Sequence, residues 1–417
     1  MNILDSYEEI ISWMFQQLPV YQNSGSKNYK IDLKKTWSFM NYLESPQETF
    51  PCFHIGGTNG KGSTSHMISS ILMTEGYKVG LYTSPHLIDF RERIKINGKL
   101  IAKKFVIDFI KKNKFKIDEL KLSFFELTVG MAFDAFRKAK VDLAVIEVGM
   151  GGRLDSTNVI NPLVSVITNV ELDHTEFLGE TRRDIAREKA GIIKPNTPVV
   201  IGQKDQETQD VFIQVAKKQN SKVVWVNKSS RVFEMDLKGS YQNQNQRTAI
   251  AAISAQNRFP FSTSGIKKGL INTSKSTGFR GRWQIINHEP FIVIDTAHNP
   301  SGLKEVMSDW RKIILKKSNS FMILGSVLGK DWDVIWKYIP EESKVFITEP
   351  KVQRALPASQ LYYSSRKHRK ESILCNSLPD AIIRVKKELS ENDALFIGGT
   401  TFLVADFLRI MDQNKLF

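Results

Sequence analysis

A glycine-rich turn near residue 60 is the segment whose residue types point most directly to chemistry. The run 56–64 reads Gly-Gly-Thr-Asn-Gly-Lys-Gly-Ser-Thr, follows the apolar segment 51–55 and precedes a helical pattern. Glycines let backbone N–H groups point toward an anion, and the start of a helix adds partial positive charge. Lys61 is placed to span the β- and γ-phosphates of a nucleotide, and Ser63 or Thr64 to hold magnesium. The run therefore predicts a phosphate-binding loop.

The loop departs from the common phosphate-loop pattern at two positions. Its first glycine lies one residue too close to the lysine, and Gly62 stands where a serine or threonine usually follows. A plain glycine turn between a strand and a helix is the structural alternative. The Gly-Lys pair between a strand and a helix argues against it.

A carboxylate at the end of an apolar run is a second candidate. Glu147 follows the sequence Leu-Ala-Val-Ile at 143–146. A charge there must be paired or bound to a metal, and the carboxyl ends of strands are where α/β sheets bind ligands. A structural ion pair with a nearby arginine is the alternative.

The elements that must position these residues alternate along the chain. Short β-rich runs and amphipathic segments follow one another, which is typical of parallel α/β sheets. Strands are expected at 51–55, 78–82, 143–147, 163–168 and 197–201, and in a second set at 291–295, 321–324, 344–347 and 394–397. Helices are expected at 61–75, 124–138 and 182–190, and an ordinary first helix near the N-terminus.

The segment 271–286 separates the two sets and is rich in Gly, Ser and Thr. We therefore predict an α/β protein in which a P-loop-type parallel sheet domain, residues 1–283, precedes a second, smaller Rossmann-like α/β domain, residues 284–417. The first would contain the phosphate-binding loop. Clefts between domains are a preferred place for ligand sites.

Composition limits the functional class. The 417 residues include two cysteines, which favours a reducing cytoplasm, and no apolar run is long enough to cross a membrane. The first residues lack the pattern of a signal peptide. The net charge of +15 is compatible with nucleic-acid binding, with a solvated lysine surface or with attraction of polyanions such as ATP. The lysines are scattered, so charge alone does not favour nucleic acid.

Seven motifs in order resemble the Mur ligase superfamily, and within it the folylpolyglutamate synthase/dihydrofolate synthase family. They lie at 57–63, 83–87, 92–98, 147–158, 169–174, 187–192 and 295–300. The C-terminal third is less similar, with departures at 280–282, 296, 329–331 and 398–403. The resemblance implies an ATP- and Mg²⁺-dependent ligase that forms an amide bond between the carboxylate of dihydropteroate or (tetrahydro)folate and L-glutamate, through an acyl phosphate. It implies both reactions, ATP binding by residues 1–283, glutamate binding by residues 284–417, a cytoplasmic monomer, and no nucleic-acid or membrane partner.

The resemblance also assigns residues to roles. Nucleotide binding falls to Gly57, Thr58, Asn59, Gly60, Lys61, Gly62, Ser63, Asn245, Arg282 and Asp295. Metal binding falls to Ser84, Glu147 and His174, and the catalytic set is Lys61, His174, Lys189 and Arg282. The pterin substrate falls to Phe124, Phe125, Glu126, Gly151, Gly152 and Arg153, with a looser match at 29–33. In relatives the lysine at 189 is carbamylated, which makes it a metal ligand.

Each assignment has a structural alternative. Phe124 and Phe125 are equally compatible with a helix core, and His174 with a hydrogen bond to its neighbour. Without the motif, Lys189 reads as a solvated helix lysine, and Arg282 as a linker residue. His298 in the 295–300 motif is as compatible with a capping role as with a catalytic one.

Two other functions compete with the folate ligase. A Mur-type ligase acting on a cell-wall precursor would share the phosphate loop, but 92–94 and 151–155 favour folate. A P-loop nucleic-acid-dependent ATPase or switch protein would fit the basic charge. The sequence lacks a clear guanine motif and an aromatic-basic binding stretch.

Replacement of Lys61 by alanine is expected to reduce ligation by about a hundredfold or more, because a positioned cation on the transferred phosphoryl group is lost. Steady-state ADP release measures the loss, and circular dichroism checks that the fold is intact. Lys316→Ala, at one of the scattered lysines, is the control. Near-normal ligation by Lys61→Ala would refute the phosphate-loop assignment.

Overall fold

A computed structural model describes residues 5–18, 32–368 and 371–414. The chain forms two compact units, one of Met1–Asp236 with Gln242–Phe279 and one of Leu237–Tyr241 with Arg280–Phe417. Each unit contains a parallel-rich α/β sheet, which confirms the predicted fold class. The functional bounds 1–283 and 284–417 stay a prediction, because compactness does not test what each part binds.

The first unit is built on one mixed sheet. Its strands are β1 (Cys52–Gly56), β2 (Val79–Tyr82), β3 (Ile94–Ile96), β4 (Lys99–Leu100), β5 (Leu143–Glu147), β6 (Val164–Ile167), β7 (Val199–Ile201) and β8 (Val223–Trp225). Within the described ranges they lie in the order β4-β3-β2-β5-β1-β6-β7-β8. The antiparallel β3 and β4 form one edge, and the other strands run parallel.

Helices connect these strands. They are α1 (Tyr7–Gln17), α2 (Lys34–Tyr42), α3 (Lys61–Thr74), α4 (Lys103–Leu120), α5 (Phe124–Ala139), α6 (Thr175–Leu178), α7 (Arg182–Ala190), α8 (Gln209–Lys218), α9 (Gln242–Ser254), α10 (Thr263–Ile271) and α11 (Thr273–Thr277). Short 3₁₀ turns lie at Pro46–Glu48, Phe90–Arg93 and Ser156–Val159. Side-chain caps fix several starts: Ser6 and Ser123 each close a capping box, and Thr181 caps α7.

The central strands of this sheet are buried on both faces. Every residue of β1, β2, β5, β6 and β7 is buried, as strands of a parallel sheet covered by helices require. One apolar cluster includes residues of α1, α2, α4 and α5, and another includes residues of α7 and α8. These layers hold the carboxyl ends of β1, β5 and β6 in fixed register, which sets the position of the loops that follow.

The second unit repeats the architecture with a smaller sheet. Its strands are β9 (Gln284–His288), β10 (Phe291–Asp295), β11 (Ser320–Leu324), β12 (Ser343–Ile347), β13 (Ser372–Leu374) and β14 (Ala394–Gly398), in the order β13-β12-β11-β14-β10-β9 over the described residues. Only β9 among these runs antiparallel to its neighbour. The helices are α12 (Pro300–Ile314), α13 (Trp332–Ile335), α14 (Ala358–Lys367), α15 (Leu378–Glu388) and α16 (Thr401–Asn414). Trp310, Trp336 and Phe396 lie in its core.

The nine strands and the three helices for which the sequence predicted bounds are all present, and each begins and ends within two residues of those bounds. The pattern missed β3, β4, β8, β9 and β13, which are short or lie at sheet edges, where the apolar signal is weak. In the part of the chain that the structure describes, no helix has the length and apolarity needed to cross a membrane.

Candidate active site

The predicted phosphate-binding loop connects β1 to α3, and the chain after β6 holds it from the side. The Thr58 N–H donates to the carbonyl of Asn169 (3.0 Å), and the Asn59 N–H donates to Asn169 Oδ1 (2.9 Å). Thr168 Oγ1 donates to the carbonyl of Asn59 at 2.6 Å. Because β1 and β6 are parallel neighbours, their carboxyl ends lie side by side. The residues after β6 therefore support the loop after β1.

Gly60 turns the chain into α3 through the left-handed region, with φ at 84°, which favours glycine. A Cβ atom at Gly60 would lie 2.2 Å from Asn245 Oδ1. Asn245, on α9, is buried and donates from Nδ2 to Gln242 Oε1 at 2.9 Å. The structure thus brings the predicted nucleotide residue Asn245 against the loop formed by 57–63.

Two lysines converge on the loop. Lys61 Nζ donates to the carbonyls of Gly57 and Thr58, at 3.1 Å each. Lys189 Nζ, from α7, donates to the same Gly57 carbonyl at 2.9 Å. Burial, and after it the charge of Lys61, lower the pKa of Lys189 to about 7, against smaller opposite effects of Asp173 and Asp155. Lys189 is therefore a buried amine at the phosphate loop, not a solvated helix lysine.

The first turn of α3 suits a divalent cation beside phosphate. Ser63 and Thr64 are buried, and Thr64 Oγ1 has no hydrogen-bond partner within the described part of the chain. A Cβ atom at Gly62 would lie 3.7 Å from Glu147 Oε1, so the Glu147 carboxylate faces the start of the helix. Hydroxyl and carboxylate oxygens are ligands that Mg²⁺ prefers, and the residues present fit that ion.

Glu147 and Ser84 are in direct contact. Glu147 ends β5 and is 4% exposed, and its Oε2 accepts the Ser84 N–H at 3.0 Å. The described residues contain no group of three or more His, Cys, Asp and Glu side chains that could hold a metal. A magnesium ion at Glu147 would complete its shell with hydroxyl, phosphate and water oxygens, as Mg²⁺ commonly does.

His174 is the third predicted metal ligand. It lies on the loop after β6, with φ at 51°, and begins the short helix α6. Its side chain is exposed, and its backbone N–H donates to Asp173 Oδ1 at 3.0 Å. The metal role of His174 stays a prediction.

The glycine loop after β5 docks onto α7. A Cβ atom at Gly152 would lie 2.8 Å from the carbonyl of Glu188. Arg153 donates from Nη2 and Nε to Glu188 Oε1, at 2.7 and 3.0 Å. Gly151 adopts φ of 67°, and Asp155 closes the loop by accepting the Met150 N–H at 2.9 Å. The predicted substrate residues 151–153 thus hold the helix that carries Lys189.

The predicted pterin residues on α5 have different surroundings. Phe124 is 4% exposed and packs on Phe15, with ring centroids 4.8 Å apart. Glu126 is buried and accepts the Ser123 N–H and hydroxyl, at 2.8 Å each, so it caps its own helix. Phe125 is only partly buried, and its ring covers Gly149, where a Cβ atom would lie 2.3 Å from it. Of the two phenylalanines, Phe125 has the more accessible ring. The looser match at 29–33 begins in residues 29–31, which lie outside the described part of the chain.

The remaining predicted residues lie in the second unit. Asp295 ends β10 and is 1% exposed. It accepts the Tyr241 hydroxyl (2.6 Å) and the Trp283 N–H (2.7 Å) on Oδ2, and the Ala297 N–H (2.7 Å) on Oδ1. Burial raises the pKa of Asp295, and the charge of the partly buried Arg282 opposes that shift.

His298 shares the loop after β10. Its Nδ1 is 3.0 Å from the Thr296 carbonyl. This contact is of the local kind that the capping alternative expects, and it does not test a catalytic role.

Sequence reasoning gave no role to Thr168, Asn169 or Tyr241. Thr168 and Asn169 support the phosphate loop, and Tyr241 holds Asp295. The sequence did contain a signal for Asn169, because it is a polar residue close behind a buried strand, and such positions often bind ligands in α/β sheets. Tyr241 gave no such signal, because it is distant in sequence from Asp295.

Comparisons with known proteins identify the family of this chain. The description "Mur ligase middle domain" matches residues 55–267, and "Mur ligase, glutamate ligase domain" matches 281–401. The chain therefore belongs to the Mur ligase family.

Within that family, the chain resembles the folate enzymes. It is 33% identical to the dihydrofolate synthase/folylpolyglutamate synthase of Buchnera aphidicola subsp. Acyrthosiphon pisum, over 86% of this chain and 89% of that one. It is 32% identical to the folylpolyglutamate synthase of Lacticaseibacillus casei, over 78% and 83%. The structure of E. coli FolC in complex with DHPP and ADP superposes with a TM-score of 0.86 and 25% identity, covering 99% of both chains.

Gly60→Ala is expected to weaken ADP binding by about tenfold or more, since the added Cβ meets Asn245 Oδ1 and opposes the positive φ. Isothermal titration calorimetry measures the affinity. Gly76→Ala is the matched control, because Gly76 also has a positive φ, 93°, but nothing within 4 Å of an added Cβ. Equal affinities of the two variants would contradict the role of the Gly60 turn.

Proposed function

We propose that this protein uses ATP to activate the carboxylate of dihydropteroate and of (tetrahydro)folate and joins it to the amine of L-glutamate. The observation that carries the proposal is the convergence of Lys61 and Lys189 on the Gly57 carbonyl, beside the buried carboxylate of Glu147. Two amines and a metal-type carboxylate around one glycine loop suit phosphoryl transfer from a nucleotide to an acid.

The chemistry explains why such a loop is needed. A carboxylate resists attack by an amine, because its charge repels the electron pair and its oxide is a poor leaving group. Transfer of the γ-phosphoryl group to that carboxylate gives an acyl phosphate and ADP. The amine then attacks the acyl carbon, phosphate leaves, and an amide forms. The residues therefore act by positioning and electrostatics rather than by covalent bonds.

Particular residues would carry these tasks. The N–H groups of the loop would bind the phosphates, with Lys61 released from its own loop to contact the transferred group. Thr64 or Ser63, Ser84 and Glu147 would hold Mg²⁺, with His174 as a further ligand. When bound, Mg²⁺ neutralises phosphate charge. Asn245 would border the nucleotide.

Arg282 and Asp295 are the residues of the second unit that we assign to nucleotide binding. Asp295 is held by three donors, so its carboxylate has a fixed direction. Arg282 supplies a positive charge near it. An arginine on a phosphoryl group can stabilise charge that develops during transfer.

The pterin acid would lie near the loop after β5. Phe125 offers a partly exposed ring suited to stack on a flat heterocycle. Gly151 and Gly152 permit close approach, and Arg153 holds the loop on α7. Phe124 and Glu126 would act by supporting Phe125 from within the helix.

Lys189 is suited to become a carbamate. Its neutral amine would attack the carbon of CO₂, form a C–N bond and release one proton, which replaces a cation by a carboxylate-like group. Burial favours the neutral amine. The product would no longer repel Lys61. We further propose a monomer that works in the cytoplasm without a nucleic-acid or membrane partner.

ADP release in the presence of dihydropteroate or tetrahydrofolate, each with and without glutamate, tests the function. We expect release to need ATP, a pterin acid and glutamate together, with both acids accepted. ATP hydrolysis that does not depend on the pterin acid or glutamate, or that is stimulated by DNA or RNA, would contradict the proposed ligase activity.

Carbamylation of Lys189 predicts an added mass equal to one CO₂ in native protein supplied with bicarbonate, and activity that rises with bicarbonate. The modified fraction should fall as the pH drops below about 7, where the amine protonates. Intact-mass analysis under native conditions measures it. Lys189→Arg should remove the added mass, whereas Lys194→Arg, at another partly buried lysine, should keep it. A fully active preparation with unmodified Lys189 would overturn this prediction.

A further inference from the structure

An imidazole lies in the buried centre of the first sheet. His54 is the third residue of β1, pairs in register with Ile146 of β5 and Ser165 of β6, and is 0% exposed. Burial, and after it the charge of Lys194, lower the pKa of His54 to about 3, so the ring is neutral in the physiological range. An apolar side chain would fill this position at lower cost. The position therefore points to a need for a hydrogen-bonding group.

The direction of the hydrogen bond that His54 makes follows from its neighbours. His54 Nε2 lies 2.8 Å from Thr157 Oγ1, which lies 2.5 Å from Asp155 Oδ1. Because a carboxylate only accepts, the single hydroxyl proton of Thr157 goes to Asp155, and His54 must donate from Nε2. The other tautomer would leave a buried N–H on Nδ1, for which the described residues provide no partner. These three side chains form one directed series of hydrogen bonds, the His54–Asp155 link.

The carboxylate at the end of the link closes the glycine turn after β5. Asp155 Oδ1 also accepts the Thr157 N–H at 3.0 Å, and its Oδ2 accepts the Met150 N–H at 2.9 Å. The turn between them contains Gly151 and Gly152, which lose much conformational freedom on folding. Such a turn needs support from fixed neighbours if it is to keep one geometry. The Thr157 hydroxyl supplies part of that support, because it fixes the carboxylate.

The turn is attached separately to the end of α7. The Arg153 N–H donates to the Glu188 carbonyl at 2.8 Å, and Asn158 Nδ2 donates to the carbonyls of Arg153 and Gly191, at 3.0 Å each. The His54–Asp155 link instead attaches the turn to β1. The phosphate loop that follows β1 has its own support, from residues after β6. Loss of the link is therefore expected to affect the turn and to spare the phosphate loop.

We propose that His54 is a positioning residue for the pterin acid. Because it is fully buried, it acts on that acid only through Thr157 and Asp155, which fix the turn at 150–155. This role rests on the proposed function, in which the turn borders the pterin acid. Without the Nε2 donor, the bond from Thr157 to Asp155 weakens, since successive hydrogen bonds polarise one another. The turn then populates more than one geometry, and ordering it on binding lowers affinity.

Two amide substitutions differ in whether they reach Thr157. The side-chain nitrogen of glutamine can occupy the place of His54 Nε2, and that of asparagine the place of Nδ1. We expect His54→Asn to raise the KM for the pterin acid by about tenfold, and His54→Gln to stay within about threefold of wild type. Thr157→Val removes the hydroxyl but keeps the shape, so it should match His54→Asn. In all three variants, the KM for glutamate and the calorimetric affinity for ADP should stay within about twofold of wild type.

A double variant tests whether His54 acts through Thr157. When His54→Asn and Thr157→Val are combined, the KM for the pterin acid should rise no further than in either single variant, because both remove the same link. Effects of the two substitutions that multiply would show independent action and would contradict the proposal.

Hydrogen–deuterium exchange separates positioning from a general loss of stability and requires no turnover. In peptides that cover 148–158, we expect faster exchange in His54→Asn and Thr157→Val, and wild-type exchange in His54→Gln. Peptides from β6 and from the loop 57–60 should exchange as in wild type. Faster exchange throughout the first unit would indicate a structural role only and would overturn the assignment.

Ser365→Ala is the control for loss of a buried hydrogen bond. Ser365 is 0% exposed, lies in the second unit and donates from Oγ to the Tyr362 carbonyl at 2.7 Å. This variant should keep the wild-type KM for the pterin acid and the wild-type exchange of 148–158.

The proposed function and the role of His54 can fail separately. If the wild-type protein accepts no pterin acid, the proposed function fails, whereas exchange of 148–158 still tests whether His54 fixes the turn. If the wild-type protein does accept it, a KM within about twofold of wild type in His54→Asn would overturn the role of His54. So would an equal rise of the KM in His54→Gln and His54→Asn.

Discussion

The carbonyl oxygen of Gly57 accepts hydrogen bonds from two lysine amines, and the first unit is arranged around that contact. Two ammonium groups on one oxygen repel each other, so the arrangement favours a neutral amine at the buried Lys189 and a negative ligand beside Lys61. β1 supplies the loop, and β6 supplies the residues that brace it. The loop after β5 fixes α7, which carries Lys189. Parallel strands make this possible, because their carboxyl ends meet at one edge.

Several residues that were predicted to bind substrate also have structural roles. Arg153 pairs with Glu188, Glu126 caps its own helix, and Phe124 lies in an aromatic cluster. These contacts fix the positions of the 151–153 backbone and of the Phe125 ring. They are therefore compatible with a binding role for both. A loop built from flexible glycines needs such fixed neighbours if it is to hold a ligand in one geometry. Ligand positioning and local stability therefore share the same bonds.

Two charged side chains of the second unit, Asp295 and Arg354, have opposite surroundings. Asp295 is surrounded by a hydroxyl and two backbone N–H groups, which satisfy the carboxylate fully enough to fix its direction. Arg354, at the same edge of its sheet, has the ring of Phe402 beside it, and no acidic side chain of the described residues lies within ion-pair distance of it. The first is a positioned group that the protein itself supports, whereas burial lowers the pKa of the second.

The sequence by itself determined the α/β class, nine of the strands and the family, and it predicted the phosphate loop, because periodic apolar runs and contiguous motifs are local features. It also placed Glu147 at a strand end. Tertiary structure alone decided that Lys189 is buried on the Gly57 carbonyl, that Asn245 borders Gly60, and that Tyr241 holds Asp295. These facts depend on residues far apart in the chain, and burial and pairing arise only when the strands and helices that carry them pack together.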